Sequence, residues 1–292
     1  MAILEPDTEP DGPAAEKNER NDRSAMTRNL TYEQNIRINS AYVHAGARLR
    51  TSFLMRFLSE AALAHLTELG AGRAETLDRG LNWVIFRQKI EISAWPELGE
   101  NVVLRTRPAA AVRTLFPRVF EIAPADRPDD PVIRAETLWV LMDGKTRSMA
   151  DPAAYGIRIP GAEGVPAPRI LGAVRAPEGA AAVSETRHTV KFSQTDVNGH
   201  LGHVFYFDII DDLLFGEGSP EAPESESAGL LSGTFPRLIE AEYLNELRPG
   251  SEFVIRHTVS GEDPGHVPGG RAHFFEARFA ESGMPAFRIL MR

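Results

Sequence analysis

Asp196-Val197-Asn198-Gly199-His200, running into a mostly apolar stretch from Leu201 to Phe215, sets the reading of the chain. Within that stretch Leu201, Val204, Phe205, Ile209, Leu213 and Leu214 recur at intervals of three and four, the spacing of a buried helix. Ahead of it Asp196, Asn198 and His200 occupy every second position. In an extended strand end successive side chains alternate faces, so a carboxylate, an amide and an imidazole are expected to share one face and one small volume. His200 then falls at or just before the helix N-terminus, where free N–H groups and the macrodipole favour negative charge on a bound oxygen. A plainer reading fits the same residues: Asn-Gly as a turn, Asn198 as a helix cap, His200 as a surface residue. Taken alone, the five residues favour the plainer reading.

The pattern occurs twice. An extended piece, Tyr32 to Asn39, precedes a helix expected over Thr51 to Leu69, with Phe53, Leu54, Phe57, Leu58, Ala61, Leu63 and Leu66 as its apolar face. Another, Thr186 to Thr195, precedes the Leu201–Phe215 run. After each helix come four strand-like runs: Trp83–Ser93, Asn101–Pro108, Leu115–Ile122 and Ile133–Met142 in the first half, then Thr234–Tyr243, Glu252–Val259, Ala272–Ala280 and Ala286–Leu290 in the second. Two rounds of strand, long helix and antiparallel strands imply an α+β chain in which a sheet wraps a helix twice, a tandem (double) hot-dog. On this repeat the first-half counterparts of Asp196, Asn198 and His200 are expected around Tyr42, His44 and Gly46, so the polar trio is not preserved there.

Composition bounds the rest. The chain has 292 residues and a net charge of -9, with no cysteine, which removes disulfides, thiolate ligands and a cysteine nucleophile together. The eight histidines lack metal-ligand spacing, so neither a metal nor a cofactor is implied. Acidity disfavours nucleic acid, no apolar run reaches a membrane span, and no secretory or transit signal is visible, so a cytoplasmic location is expected. Residues 30–155 are nearly balanced, 16 basic against 15 acidic, whereas residues 156–292 hold 12 against 19. The middle section is thus the part able to meet an acidic partner. Residues 1–29 read as a disordered tail. Residues 30–150 and 186–292 read as the two hot-dog units, joined by a Pro/Gly/Ala-rich linker over 151–185. The acidic loop Gly216–Gly229 reads as solvated.

The residues also resemble a known family, the acyl-acyl carrier protein thioesterases, double hot-dog proteins of bacteria and plant plastids. The likeness runs through Leu81-Asn82-Trp83-Val84-Ile85-Phe86-Arg87, Ile90-Glu91-Ile92, Trp95-Pro96 with Gly99-Glu100, and Leu138-Trp139-Val140-Leu141-Met142-Asp143. In the second half it runs through Asp196-Val197-Asn198-Gly199-His200, Val204 and Tyr206, then Glu242-Tyr243-Leu244-Asn245-Glu246. The resemblance implies Asp196, Asn198 and His200 as active-site residues and Glu246 as their acidic partner. Plant members carry a cysteine directly after that glutamate, where this chain has Leu247. The family's paired asparagines stand here as Gly202 and His203, and its helical glutamate as Asp212.

The implied activity is hydrolysis of fatty acyl-acyl carrier protein thioesters in fatty acid synthesis, with the N-terminal half shaping the acyl pocket. Glu246 or His200 is expected to activate water, Asn198 to position it or the carbonyl, and Asp196 to orient both. Backbone N–H groups near Gly199 to Gly202 are expected to stabilise the oxyanion. Direct attack by Glu246 through a mixed anhydride stays open. The partner is an acidic carrier protein bearing acyl-phosphopantetheine; Arg48, Arg50, Arg56, Arg87, Lys89, Arg105, Arg107, Arg113 and Arg118 are candidates to meet it. Whether the chain forms a homodimer is not legible. Two other readings stand: an enzyme acting on coenzyme A thioesters, and a noncatalytic acyl-thioester binding protein. His203, Asp212 and the three tryptophans read as structural.

Overall fold

The structure, a computed structural model, describes residues 30–159, 172–216, 235–262 and 271–292. The expected tail, part of the expected linker and most of the acidic loop lie outside these residues. The strands are β1 (Tyr32–Arg37), β2 (Leu81–Ile92), β3 (Asn101–Pro108), β4 (Phe116–Pro124), β5 (Ile133–Asp143), β6 (Ala181–Thr189), β7 (Leu238–Tyr243), β8 (Glu252–Glu262), β9 (Arg271–Phe279) and β10 (Pro285–Met291). They form one antiparallel sheet in the order β1-β3-β4-β5-β2-β7-β10-β9-β8-β6. That order is a five-stranded unit followed by its mirror-ordered copy. The units join where β2 pairs with β7, Arg87 opposite Glu242 and Glu91 opposite Leu238. This is the tandem hot-dog.

Helix α1 (Thr51–Glu68) and helix α2 (His203–Phe215) are the two filled centres. Leu54, Met55, Leu58 and Ala61 of α1 and Val204, Phe207, Ile210 and Leu214 of α2 are buried in one core with Leu104, Phe120 and Ile239 of the sheet. Burying each large side chain contributes on the order of 1.5–3 kcal/mol, so the helices are held by their apolar faces rather than by their caps. Neither N-cap residue, Arg50 or Gly202, makes a side-chain capping bond. The start of α1 is instead served from α2, where Asp211 accepts hydrogen bonds from the Thr51 side chain and backbone.

The second-half edge strand begins at Ala181, inside the stretch read as linker. Nearly all its residues are exposed, and a strand with no buried face shows no apolar alternation to read. Charged Glu185 and Arg187 on it suit an edge that must not recruit other strands.

Candidate active site

Residues 196–200 form a tight turn and not the expected strand end. Thr195 and Leu201 make an isolated antiparallel bridge across it. Gly199 takes φ 72, a left-handed conformation that glycine adopts without steric cost. Inside the turn the Asp196 N–H donates to the His200 carbonyl at 2.9 Å and the Gly199 N–H to the Asp196 carbonyl at 3.0 Å. Asp196 Oδ1 accepts the N–H groups of Asn198 at 2.8 Å and His200 at 3.4 Å. The three polar side chains therefore share one loop because the chain doubles back on an Asx turn. The helix starts at His203, two residues later than expected, after Gly202 in an extended conformation.

The same hydrogen bonds overturn the expected oxyanion site. The N–H groups of Gly199 and His200 are taken by Asp196, that of Leu201 by the Leu247 carbonyl at 2.6 Å, and that of Gly202 by the Gln194 carbonyl at 2.9 Å. All four are engaged within the protein.

The bond from Leu201 to Leu247 fastens the turn beside the segment after β7, and so brings Glu246 to His200. His200 Nε2 lies 2.9 Å from Glu246 Oε2, and Arg248 Nη2 lies 3.7 Å from that oxygen. The other carboxylate oxygen pairs with Arg147 Nη2. Desolvation is the main cause holding the His200 pKa below its usual 6.5; Asp196 pulls it up, and Arg147 and Arg248 push it down. A neutral imidazole facing a carboxylate donates from Nε2, which leaves Nδ1 as the basic nitrogen.

Arg147 was not among the residues singled out from the sequence. It comes from the turn after β5, where Asp143 Oδ1 accepts the N–H groups of Lys145 and Thr146 at 2.8 and 2.9 Å. The Arg147 N–H closes the turn on the Asp143 carbonyl at 2.9 Å. The segment Asp143-Gly144-Lys145-Thr146 is legible as a turn, but nothing local says that the turn faces residues a hundred positions away.

Beneath the loop lies a buried polar layer. The His203 ring bonds the Met55 carbonyl of α1, and burial lowers its pKa to about 4. It meets Tyr243 edge-on at 6.5 Å, and the Tyr243 hydroxyl accepts from Gln88 Nε2 at 2.9 Å. His203 is thus a neutral strut between the halves, in keeping with its structural reading. Asp212 is exposed, while its neighbour Asp211, not singled out from the sequence, is pushed up to about 8 by burial.

The first half repeats the turn and corrects its expected alignment. Val43 and Leu49 form the bridge, the His44 N–H donates to the Arg48 carbonyl at 3.1 Å, and the Gly46 N–H donates to His44 Nδ1 at 2.8 Å. The Leu49 N–H bonds the Pro96 carbonyl as Leu201 bonds Leu247. His44, Gly46 and Arg48 therefore answer to Asp196, Asn198 and His200, two residues on from the expected Tyr42, His44 and Gly46, and Trp95 answers to Glu246. Phe235 occupies this copy. His44 stacks on it at 4.8 Å, Trp95 lies 5.9 Å away, and the Arg48 guanidinium sits 5.0 Å from its centroid.

Several of the basic residues proposed to meet a partner are engaged elsewhere, Arg105 with Glu33 and Lys89 with Glu91 among them, each at 2.7 Å. Arg118 is buried at 3% exposure, and Arg87 is bound to the buried Glu242. Arg50, Arg56 and Arg113 are exposed.

Residues 29–153 match the family described as acyl-ACP thioesterase N-terminal domain. Over 127 residues the chain is 28% identical to the chloroplastic acyl-[acyl-carrier-protein] hydrolase FATB2 of Cuphea viscosissima, covering 41% of this chain and 31% of that protein. It is likewise 28% identical to the chloroplastic palmitoyl-acyl carrier protein thioesterase of Cuphea hookeriana, covering 41% and 30%. The chain thus spans about a third of the length of these curated relatives. An acyl-ACP thioesterase from Bacteroides thetaiotaomicron has a similar solved structure, with TM-score 0.67 and 19% identity over 91% of this chain and 98% of that one. A 12:0-ACP thioesterase from Umbellularia californica superposes with TM-score 0.70 and 18% identity over 92% and 96%. At these identities the two structures speak for the shared fold.

Proposed function

We propose that the chain, whose residues 29–153 match the family described as acyl-ACP thioesterase N-terminal domain, hydrolyses fatty acyl-acyl carrier protein thioesters, releasing free fatty acid. The observation that carries the reading is the contact of His200 Nε2 with Glu246 Oε2 at 2.9 Å, in which a neutral histidine is oriented with Nδ1 as its base. His200 takes a proton from water on Nδ1 while the water oxygen attacks the thioester carbonyl. The C–S bond then breaks, and the departing thiolate takes that proton back. Glu246 orients and stabilises the imidazolium; both its oxygens are engaged by Arg147, His200 and Arg248, which speaks against its acting as nucleophile or base. Asp196 folds the turn. Asn198 Nδ2, only 3.5 Å from Asp196 Oδ2, and the uncapped first turn of α2 serve the oxyanion.

In this reading residues 186–292 carry the chemistry and residues 30–150 hold the acyl chain. The carrier protein docks through exposed arginines of the first half. The test is hydrolysis across acyl lengths on carrier protein and on coenzyme A. Turnover favouring the carrier supports the proposal, equal or better turnover of coenzyme A esters moves the chain to the coenzyme A class, and binding without hydrolysis makes it an acyl-binding protein.

A further inference from the structure

The turn that follows Glu246 is built twice in the chain, with opposite charge. In the second half the Gly250 N–H donates to the Val190 carbonyl at 2.9 Å and the Val190 N–H to the Ser251 carbonyl at 3.0 Å. In the first half the Gly99 N–H donates to the Ile38 carbonyl and the Ile38 N–H to the Glu100 carbonyl, both at 2.8 Å. The two glycines are left-handed alike, with φ 81 and φ 90. Since Leu201 bonds Leu247 as Leu49 bonds Pro96, Arg248 answers to Glu97. Glu97 pairs at 3.5 Å with Arg48, the residue that answers to His200. The copy that carries His200 and Glu246 thus sets a guanidinium where the other sets a carboxylate.

Arg248 is fixed at its backbone and free at its tip. Its N–H donates to Ser251 Oγ at 3.1 Å, and its carbonyl accepts the Ser251 N–H at 2.9 Å. Its side chain is 65% exposed, and among the described residues its guanidinium makes one polar contact, 3.7 Å from Glu246 Oε2, too long for a hydrogen bond. Glu246 is already paired with Arg147 through its other oxygen and with His200 through this one. Asp196, the acid of the loop, is taken by the Asn198 N–H at 2.8 Å. Thioester hydrolysis puts negative charge on the carbonyl oxygen during attack and leaves a carboxylate at its end. With the N–H groups of residues 199–202 engaged, the donors offered to that charge by the loop and α2 are neutral. Arg248 is the positive group beside them, and a guanidinium only donates and stays charged.

We propose that Arg248 is the anion-binding group of the site, moving from Glu246 onto the acyl carbonyl oxygen as that oxygen gains charge and then onto the carboxylate of the released acid. The inference rests on the thioesterase reading and adds a residue to it. As the water oxygen bonds to the carbonyl carbon, the C=O electron pair moves onto the oxygen facing the guanidinium and one water proton goes to His200 Nδ1. The C=O bond then re-forms, the C–S bond breaks, and the thiolate takes that proton. The acid left behind ionises to solvent and stays paired with Arg248 until it departs. The test measures kcat and KM of the full chain on carrier-protein and coenzyme A thioesters for the wild type, Arg248→Met and Arg248→Lys, at a pH where wild-type activity no longer varies. In parallel the same proteins are titrated calorimetrically with saturated fatty acids, octanoic to hexadecanoic, and with their neutral primary amides. Arg248→Met lowers kcat about ten-fold or more with KM little changed, added guanidinium ion restores part of the loss, and Arg248→Lys keeps part of the activity. The same Met variant binds the acid about ten-fold more weakly and the amide as before. A kcat that is unchanged or raised in Arg248→Met overturns the proposal, since Arg248 would then act only as a charge on His200. Equal losses for acid and amide overturn it too, as does a wild type that binds no acid. Absence of hydrolysis of either thioester sinks the thioesterase reading, while the acid and amide titrations still decide whether Arg248 holds the carboxylate.

Discussion

His200 and Arg147 come from opposite halves of the chain yet hold the same carboxylate: His200 Nε2 lies 2.9 Å from Glu246 Oε2, and Arg147 pairs with Oε1. The histidine–carboxylate pair of the second half is thus joined by a cation from the first. His200→Ala is expected to lower kcat by about 10²–10⁴-fold, the usual worth of a positioned base, with the circular dichroism spectrum unchanged. Glu246→Gln keeps the shape but loses the charge that fixes the imidazole, and a loss of about 10²-fold is expected. Wild-type turnover by either variant would remove the pair from the mechanism.

Under the proposed function, Arg147 is expected to set where activity is lost in acid. The base must be neutral, so kcat/KM is expected to be flat at neutral pH and to fall as pH drops through a pKa below 6.5, the direction of the His200 shift. Arg147 is one of the charges pushing that pKa down. Arg147→Met is therefore expected to move the acid limb to higher pH, in a pH profile of kcat/KM taken at constant ionic strength. An unmoved limb would mean that Arg147 only braces the loop.

Docking of an acidic carrier is expected to use the exposed Arg56 and Arg113. Arg56 is close enough to lower the pKa of His203, and the neighbour of Arg113, Thr114, reaches Met149 beside the Arg147 turn at 3.5 Å. The double change Arg56→Glu and Arg113→Glu is expected to raise KM for the carrier-bound substrate about ten-fold while leaving the coenzyme A thioester nearly unaffected, because like charges meet only in the first case. Equal effects on both substrates would place docking elsewhere.

What the sequence carried depended on whether a signal was local. Strands such as Asn101–Pro108 alternate against a core and are legible within a residue or two, whereas Ala181–Thr189 has no buried face, and its first five residues fall in the stretch read as linker. Asp196, Asn198 and His200 were legible as a group, but the shape joining them was not, since Gly199 permits a left-handed turn that alternation alone does not reveal. Glu246 is known to face His200 only once Leu201 is bonded to Leu247. Arg147 and Asp211 act across the halves, on Glu246 and on Thr51, and their neighbours in sequence say nothing of that. Arg118 did leave a trace, as a charge in phase with Phe120 and Ile122, although it reads equally as a surface arginine when the facing of the strand is unknown.

The repeated turn gives a stability prediction. Ala47 occupies the place of Gly199 and has φ 61, where the glycine has φ 72. A side chain in the left-handed region costs roughly 1–2 kcal/mol, offset in part by the greater chain entropy of glycine. Ala47→Gly is expected to stabilise the protein by about 0.5–1 kcal/mol in urea unfolding, and Gly199→Ala to destabilise it by a similar amount. A shift of the same sign in both variants would show that the two turns are not equivalent.

Buried titratable groups set limits on both sides of neutrality. Burial holds His257 and His203 near pKa 4, while each titrates near 6.5 when unfolded. Between those values the unfolded chain binds protons that the native protein refuses, so stability is full above about 6.5 and is lost as pH falls towards 4. Asp211 has the opposite sign. Its native pKa is raised to about 8 from 3.8, so the native state holds a proton that the unfolded chain releases, and stability falls as pH rises through that range. Asp211→Asn, which keeps a neutral acceptor for Thr51, is expected to raise the urea midpoint at pH 8 and leave it unchanged at pH 3.5. His257→Asn is expected to flatten the decline between pH 6.5 and 4.5. A wild-type urea midpoint independent of pH from 4.5 to 8 would mean that neither group is held as the structure has it.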